Sequence, residues 1–190
     1  LVVLREQRNA RPKPRRATGL YHFAVLLPSR KYLARAYLRI AERWPLDGAA
    51  YHLVSEALYL SDPDGHGIEV YSDRPRATWR RLPTGTLSMA TLPLDLGSLL
   101  KELSEEAELP GEDYRLPEGT RIGHVHLHVS RLERAKAFYV GSLGMNLTFD
   151  WSLYGALFFA AGDYHHHVGA NVWAGIDAPR PPQDSVRLVS

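Results

Sequence analysis

Seven consecutive residues, Gly123-His124-Val125-His126-Leu127-His128-Val129, alternate imidazole with aliphatic side chains. Successive side chains of an extended strand point to opposite faces. Three histidines therefore share one face, and Val125, Leu127 and Val129 share the other. The aliphatic face belongs against a core, which leaves the imidazoles on a concave or open surface. Neutral imidazole is the commonest protein ligand for divalent transition metals. At least one of the three, His124 first, reads as a ligand, and the others as ligands or hydrogen-bonded fillers. Earlier in the chain, His22 lies within Leu20-Tyr21-His22-Phe23-Ala24, and Glu69 stands between Ile68 and Val70. A carboxylate in an apolar strand is expensive to bury unless it is paired or metal-bound; the bland alternative is a glutamate facing water on an edge strand. In Tyr164-His165-His166-His167-Val168, strand alternation puts His165 and His167 on one face and turns His166 away. His167 follows His124 by 43 residues, close to the 47 that separate Glu69 from His22, and is the expected counterpart of Glu69. The chain has no cysteine. A ligand set of His22, Glu69, His124 and His167 is thus all nitrogen and oxygen, which suits Fe(II), Mn(II), Ni(II) or Zn(II). Two histidines and one carboxylate with open positions form the facial triad of non-haem Fe(II) oxygenases.

The elements that must hold these residues recur. Residues 19–27 are apolar and extended in character, and Pro28 and Ser29 stop them. Leu33, Ala36, Tyr37, Ile40, Ala41 and Trp44 make a helical stripe over residues 31–44, closed by Pro45. Short strands follow at 50–54 and 57–60. Asp62-Pro63-Asp64-Gly65 is a turn, and residues 68–71 are a last strand. The same order returns later: a strand at 122–129, a helix at 132–143 with Leu132, Ala135, Phe138, Tyr139 and Leu143 inward and Gly144 as its C-cap, then strands at 146–151, 156–160 and 164–173. Two βαβββ units therefore stand in tandem, and such a repeat defines the fold. The expected class is α+β, with tandem βαβββ modules forming curved mixed sheets around a metal-binding cleft. The expected divisions are 1–18 (the end of a preceding module and a basic linker), 19–78 (first module), 79–119 (a connector with an amphipathic helix at 96–109), 120–175 (second module), and 176–190 (a Pro-rich tail that could begin a further module). The apolar runs 1–4 and 186–189 read as strand pieces, so residues are expected before position 1.

Composition bounds the function. Hydrophobic residues are 45% of 190, enough for a core. A net charge of +2 gives no case for nucleic acid as a partner. The basic cluster Arg8, Arg11, Lys13, Arg15 and Arg16 is interrupted by prolines and reads as a solvated linker. No apolar run approaches the roughly 20 residues of a membrane span, and the first residues have no signal-peptide layout. Absent cysteine fits a reducing, cytoplasmic setting. Exposed sheet edges favour pairing between copies, so a homo-oligomer is an open expectation. His126, beside His124, and Trp173 are expected against a bound small molecule. Trp151 and Tyr154 could line the same aromatic cleft, though such aromatics are more often core.

Three motifs carry a resemblance to the glyoxalase/bleomycin resistance/extradiol dioxygenase (vicinal oxygen chelate) superfamily: Gly19-Leu20-Tyr21-His22-Phe23; the stretch from Tyr59 through Asp62-Pro63-Asp64-Gly65 to Glu69 and Tyr71; and Gly123 to Val129 with Ala137-Phe138-Tyr139 and Leu143-Gly144. Together they span most of residues 19–173. The branch most resembled is that of the two-domain catechol 2,3-dioxygenases. That resemblance implies an extradiol dioxygenase with Fe(II), acting on a catechol-type diol and dioxygen. His22 and Glu69 match the family's second His and its Glu, and His124 matches a first-strand His. His52 and Tyr59 stand nearest to the family's acid–base His and its Tyr, although His52 lies closer to the DPDG turn than the family pattern places it. The resemblance equally admits a glyoxalase-type isomerase or lyase acting through a metal-held enediolate, or an antibiotic-sequestering binding protein. His22 and Glu69 belong to one module and His124 to the next. Either the two modules pair, or each site is completed by a further module.

Overall fold

The structure is a computed structural model and describes residues 2–103 and 112–188. The first module runs β1 (Gly19–Leu26), α1 (Arg30–Arg43), β2 (Gly48–Tyr51), β3 (Ser55–Ser61) and β4 (Gly67–Asp73). The connector holds a two-residue strand β5 (Leu92–Pro93) and α2 (Leu96–Leu100). The second module runs β6 (Arg121–His128), α3 (Leu132–Lys136) continued as a π-helical turn (Ala137–Ser142), β7 (Asn146–Trp151), β8 (Ala156–Ala160) and β9 (Val168–Asn171).

All nine strands join one sheet, in the order β5-β2-β3-β4-β1-β6-β9-β8-β7. Within each module the first and last strands pair in parallel, β1 with β4 and β6 with β9. The modules meet along an antiparallel seam between β1 and β6, where His22 faces His126 and Ala24 faces His124. The two modules therefore pair with each other. Serine and tyrosine of β3 and aromatics of β7 line the same cavity although they belong to opposite halves of the sheet, so the sheet curls into a half-barrel.

Sequence period explains which side is which. Val25, Leu58 and Val70 face α1, meeting Leu33, Ala34 and Ala36 in one apolar cluster. In the second module Leu157, Phe159 and Ala170 meet Leu132 and Ala135. The opposite, concave face carries His22, Glu69, His124 and His126, all buried. The DPDG segment turns as its chemistry requires: the Asp62 carboxylate accepts from the Asp64 and His66 backbone N–H groups, and Gly65 takes φ 81°.

Several expectations shift. Residue 44 is already extended, as a residue before proline prefers to be, and Trp44 is 41% exposed rather than inward. After one turn α3 widens into the π form, which rotates the following side chains; Phe138 and Leu143 are exposed, Tyr139 stays against the core as expected, and Val140 and Met145 join it there. Gly144 does close this helix, at φ 71°. Strand β9 begins only at Val168, four residues later than the apolar pattern suggests. Residues 2–4 form no strand, and of the run 186–189 the described part forms none. The connector helix is observed for Leu96–Leu100, and most of its remaining expected length lies outside the described residues. The basic stretch is partly pinned: Arg11 bridges to Ser185 and pairs with Asp184, and the Lys13 ammonium donates to the Leu20 carbonyl. Among the described residues no helix is long and apolar enough to cross a membrane.

Candidate metal centre and its cavity

Three adjacent central strands deliver the cluster. β1 supplies His22, β4 supplies Glu69 and β6 supplies His124, each from the concave face. Their ligand atoms lie within 4.8 Å of one another. His22 Nε2 and His124 Nε2 are each 3.1 Å from the same Glu69 oxygen, Oε2. His124 is aligned to hydrogen-bond that oxygen. His22 Nε2 is close enough for attraction, yet it is buried without a hydrogen-bond partner. An orphaned buried nitrogen is costly, and a cation held between two imidazoles and a carboxylate removes that cost. Ligands about 2 Å from a shared metal stand roughly 3–4 Å apart, and each imidazole already lies 3.1 Å from the carboxylate oxygen. The residues fit a divalent metal of the kind that takes nitrogen and oxygen donors.

Electrostatics agree with that assignment. Burial alone would push the Glu69 carboxyl up, but the imidazoles of His124 and His22 outweigh it and hold the group well below its ordinary value. Burial lowers His124, against the opposing pull of Glu69. Burial, reinforced by neighbouring His22 and His124, lowers His126 well below the usual imidazole range. His166 is driven down in the same way, by burial and then by His124.

Beside the cluster lies a cavity of about 230 Å³, small enough to suit a compact ligand. His22, Glu69, His52, Tyr59, His126 and Trp173 all line it. His52 sits in the tight β2–β3 turn, where its N–H bonds the Ser55 carbonyl and the next residue, Leu53, takes φ 69°. Its ring is held at both nitrogens: Nδ1 lies 2.9 Å from the Ala90 carbonyl and Nε2 lies 2.7 Å from the Tyr59 hydroxyl. A carbonyl only accepts, so in the neutral ring the proton is on Nδ1, and Tyr59 donates to Nε2. Burial, then the charges of Glu69 and Tyr21, raise the Tyr59 hydroxyl well above its ordinary value, so it keeps its proton.

His126 is fixed by a similar chain. The Trp173 backbone N–H donates to Asn171 Oδ1, which sets the orientation of that amide. The Asn171 NH₂ then meets His126 Nε2 at 3.0 Å. Gly169 backs the ring so closely that a Cβ there would lie 2.8 Å from its carbons.

His167 is the expectation that the structure does not bring to the cluster. Residues 164–167 precede β9 and do not alternate as a strand does. His165 and His166 turn inward, while His167 is exposed and accepts from the Ala161 N–H at its Nδ1. His166 instead lines the cavity, with its ring 4.1 Å from that of His124. His165 bonds His166 and Asp73 behind it. Trp151 lines the cavity, the less common of the two readings its spacing allowed. Tyr154 packs on Trp151 but is 65% exposed outside it. Sequence reasoning missed His166, Asn171, Phe149, Phe158 and the connector residues Met89 to Thr91. The inward face of β7 and β8 carried the signal for the two phenylalanines.

Comparison with known proteins gives three findings. Residues 121–182 match the family model of the Glyoxalase/Bleomycin resistance protein/Dioxygenase superfamily. The chain is 49% identical over 189 residues, 99% of its length, to a protein of Bacillus subtilis (strain 168) named Catechol-2,3-dioxygenase, and it spans 65% of that protein's length. It is also similar to the crystal structure of a hypothetical protein from Bacillus halodurans C-125, at a TM-score of 0.42 and 11% identity, over 81% of this chain and 93% of that one.

Proposed function

We propose that this chain, which carries a domain of the Glyoxalase/Bleomycin resistance protein/Dioxygenase superfamily, bears the metal site of an extradiol dioxygenase that opens the ring of a catechol-type diol. One observation carries the reading: a buried two-histidine, one-carboxylate cluster shares a small cavity with a hydrogen-bonded histidine–tyrosine pair. The name of the Bacillus subtilis relative supports the same reaction class.

His22, Glu69 and His124 would hold the metal, and their donor set favours Fe(II). Such a metal would supply Lewis acidity that lowers the pKa of a bound diol. The chain's own residues do the rest. Glu69, kept ionised by the two imidazoles, offsets the charge of the metal. The Tyr59 hydroxyl donates to His52 Nε2 and presents its oxygen to the cavity as a hydrogen-bond acceptor for a substrate hydroxyl. His52 Nε2 accepts a proton relayed through Tyr59 and returns it as the ring opens, while the Ala90 carbonyl keeps the other nitrogen protonated. His126 and Trp173 press against the substrate ring from the second module. Phe149, Trp151 and Phe158 exclude water from the cavity.

The test is elemental analysis of anaerobically purified protein together with oxygen uptake on catechol. About one iron per site, lost in both His22→Ala and Glu69→Ala, with oxygen consumed one-for-one with diol, is the expected result. Stoichiometric zinc, nickel or manganese without oxygen uptake would overturn the dioxygenase reading in favour of a redox-neutral isomerase or lyase.

A further inference from the structure

The β1–β6 seam ends where Gly19 pairs with His128. Beside that pair opens a second pocket, of about 430 Å³, which shares no lining residue with the metal cavity. Leu127 of β6, Ala135 of α3 and Ala178 give it apolar walls. Arg131, Arg134 and Arg180 also line it, and among the described residues no carboxylate does. Arg131 is occupied, since its Nε and Nη2 groups both donate to Asp177. Arg134 and Arg180 are exposed and form no salt bridge among the described residues, and Arg134 bears on Asp177 only through space. The Ser130 and Tyr139 hydroxyls on the same walls donate to no described residue. Burial raises the Tyr139 hydroxyl above its ordinary value, so it stays a donor.

The basic stretch ahead of β1 adds to the positive field. The half-buried Lys13 ammonium donates to the Leu20 carbonyl and pairs with no carboxylate among the described residues. It reaches His128 on the pocket wall: burial lowers that imidazole, its bond to Asn171 opposes the shift, and the charge of Lys13 lowers it further. Cations gathered without counter-charges repel one another, and an anion placed among them removes that repulsion. A guanidinium offers a carboxylate two parallel donors.

We infer that this pocket is a second binding site, for a small organic carboxylate with an apolar body. The carboxylate would lie between Arg134 and Arg180, and the body against Leu127, Ala135 and Ala178. The volume falls in the range of about 300–1,000 Å³ usual for small-molecule sites. An inorganic anion leaves the apolar walls uncovered, and a neutral apolar molecule leaves the arginines unpaired. The inference is independent of the reaction assigned to the metal cavity.

The test is calorimetric titration of the intact, metal-loaded protein with phenylacetate, with its uncharged counterpart phenylacetamide, and with inorganic phosphate. Phenylacetate should bind at least about 10-fold more tightly than either of the others. Arg134→Gln/Arg180→Gln should weaken phenylacetate at least about 10-fold without loss of metal or of Tm. Lys31→Gln/Lys101→Gln removes the same charge from exposed positions on the helices of the first module and the connector, and should leave the affinity unaltered. No binding of phenylacetate, or binding that Arg134→Gln/Arg180→Gln does not weaken, as attachment at the metal alone would give, overturns the site. Equal weakening in both double variants reduces it to net charge and overturns it as well. Phenylacetamide bound as tightly as phenylacetate overturns the recognition of charge, and phosphate bound as tightly overturns the role of the apolar walls.

Discussion

Replacing Gly169 by alanine tests how the second module presents His126. The two residues are direct partners across β6 and β9. A Cβ at 169 would sit 2.8 Å from His126 Cγ and Cδ2 and 3.1 Å from Nδ1, where carbon atoms prefer about 3.5–4 Å. The ring has little room to retreat. Tyr21, Phe158 and Trp173 stand 5.3–5.5 Å from it, centroid to centroid, and Asn171 holds its Nε2. Overpacking of this kind costs roughly 1–3 kcal/mol. Removing a strand glycine gives back about 0.5–1 kcal/mol. The net loss is about 1–2 kcal/mol, or a fall in Tm of roughly 2–8 °C for a chain of this size. Thermal unfolding followed by circular dichroism measures it. Gly141→Ala, where nothing lies within 4 Å of the added carbon, is the control and should not lower Tm. In a His126→Ala background the new methyl has no ring to meet, so Gly169→Ala should be neutral or stabilising there. An equal loss in both backgrounds, or no loss in either, would refute the argument from close approach.

Tyr59→Phe should retain the metal and lower kcat by roughly 10²–10⁴-fold; a change confined to KM would show that the hydroxyl only binds. His167→Ala should leave metal content and stability within about 0.5 kcal/mol, because its side chain is exposed and away from the cluster; loss of metal on elemental analysis would restore it as a ligand. The metal-free protein should lose stability on acidification below about pH 6.5. His126 and His166 have folded pKa values lowered by burial, so the unfolded chain binds protons that the folded chain refuses. Each contributes a loss approaching about 1.4 kcal/mol per pH unit below that point. Urea unfolding at pH 7, 6 and 5 measures the slope, and flat stability across that range would contradict both assignments.

Local pattern made some of this site readable and long-range pairing withheld the rest. The alternation in Gly123 to Val129 and the lone Glu69 between Ile68 and Val70 fixed side-chain faces, because a strand has a period of two and one face must meet a helix. The same logic misplaced the histidines at 165–167. They lie ahead of β9, in a bend where no period applies. Phe138 went astray because one π-helical turn rotates the face, and no spacing in the sequence announces it. Asn171 was hidden for a different reason. Its value lies in three partners, His126, His128 and the Trp173 backbone, which meet only after β6 and β9 pair. Phe149 and Phe158 face the cavity because the sheet curls, a property of all nine strands together.

The seam between β1 and β6 is where fold and chemistry become one problem. Had each module carried a full ligand set, the site would survive a loose or slipped pairing. Instead His22 and Glu69 come from one module and His124 from the other, on three neighbouring strands. A shift of one residue along β6 would turn its imidazoles to the helix side and its valines and leucine into the cleft. Register is therefore held twice, by apolar burial against α3 and by the need of Glu69 for both imidazoles. A metal that binds only the native arrangement adds its binding free energy to this same pairing. The seam that encodes the site is then also the part of the fold that the site most strongly stabilises.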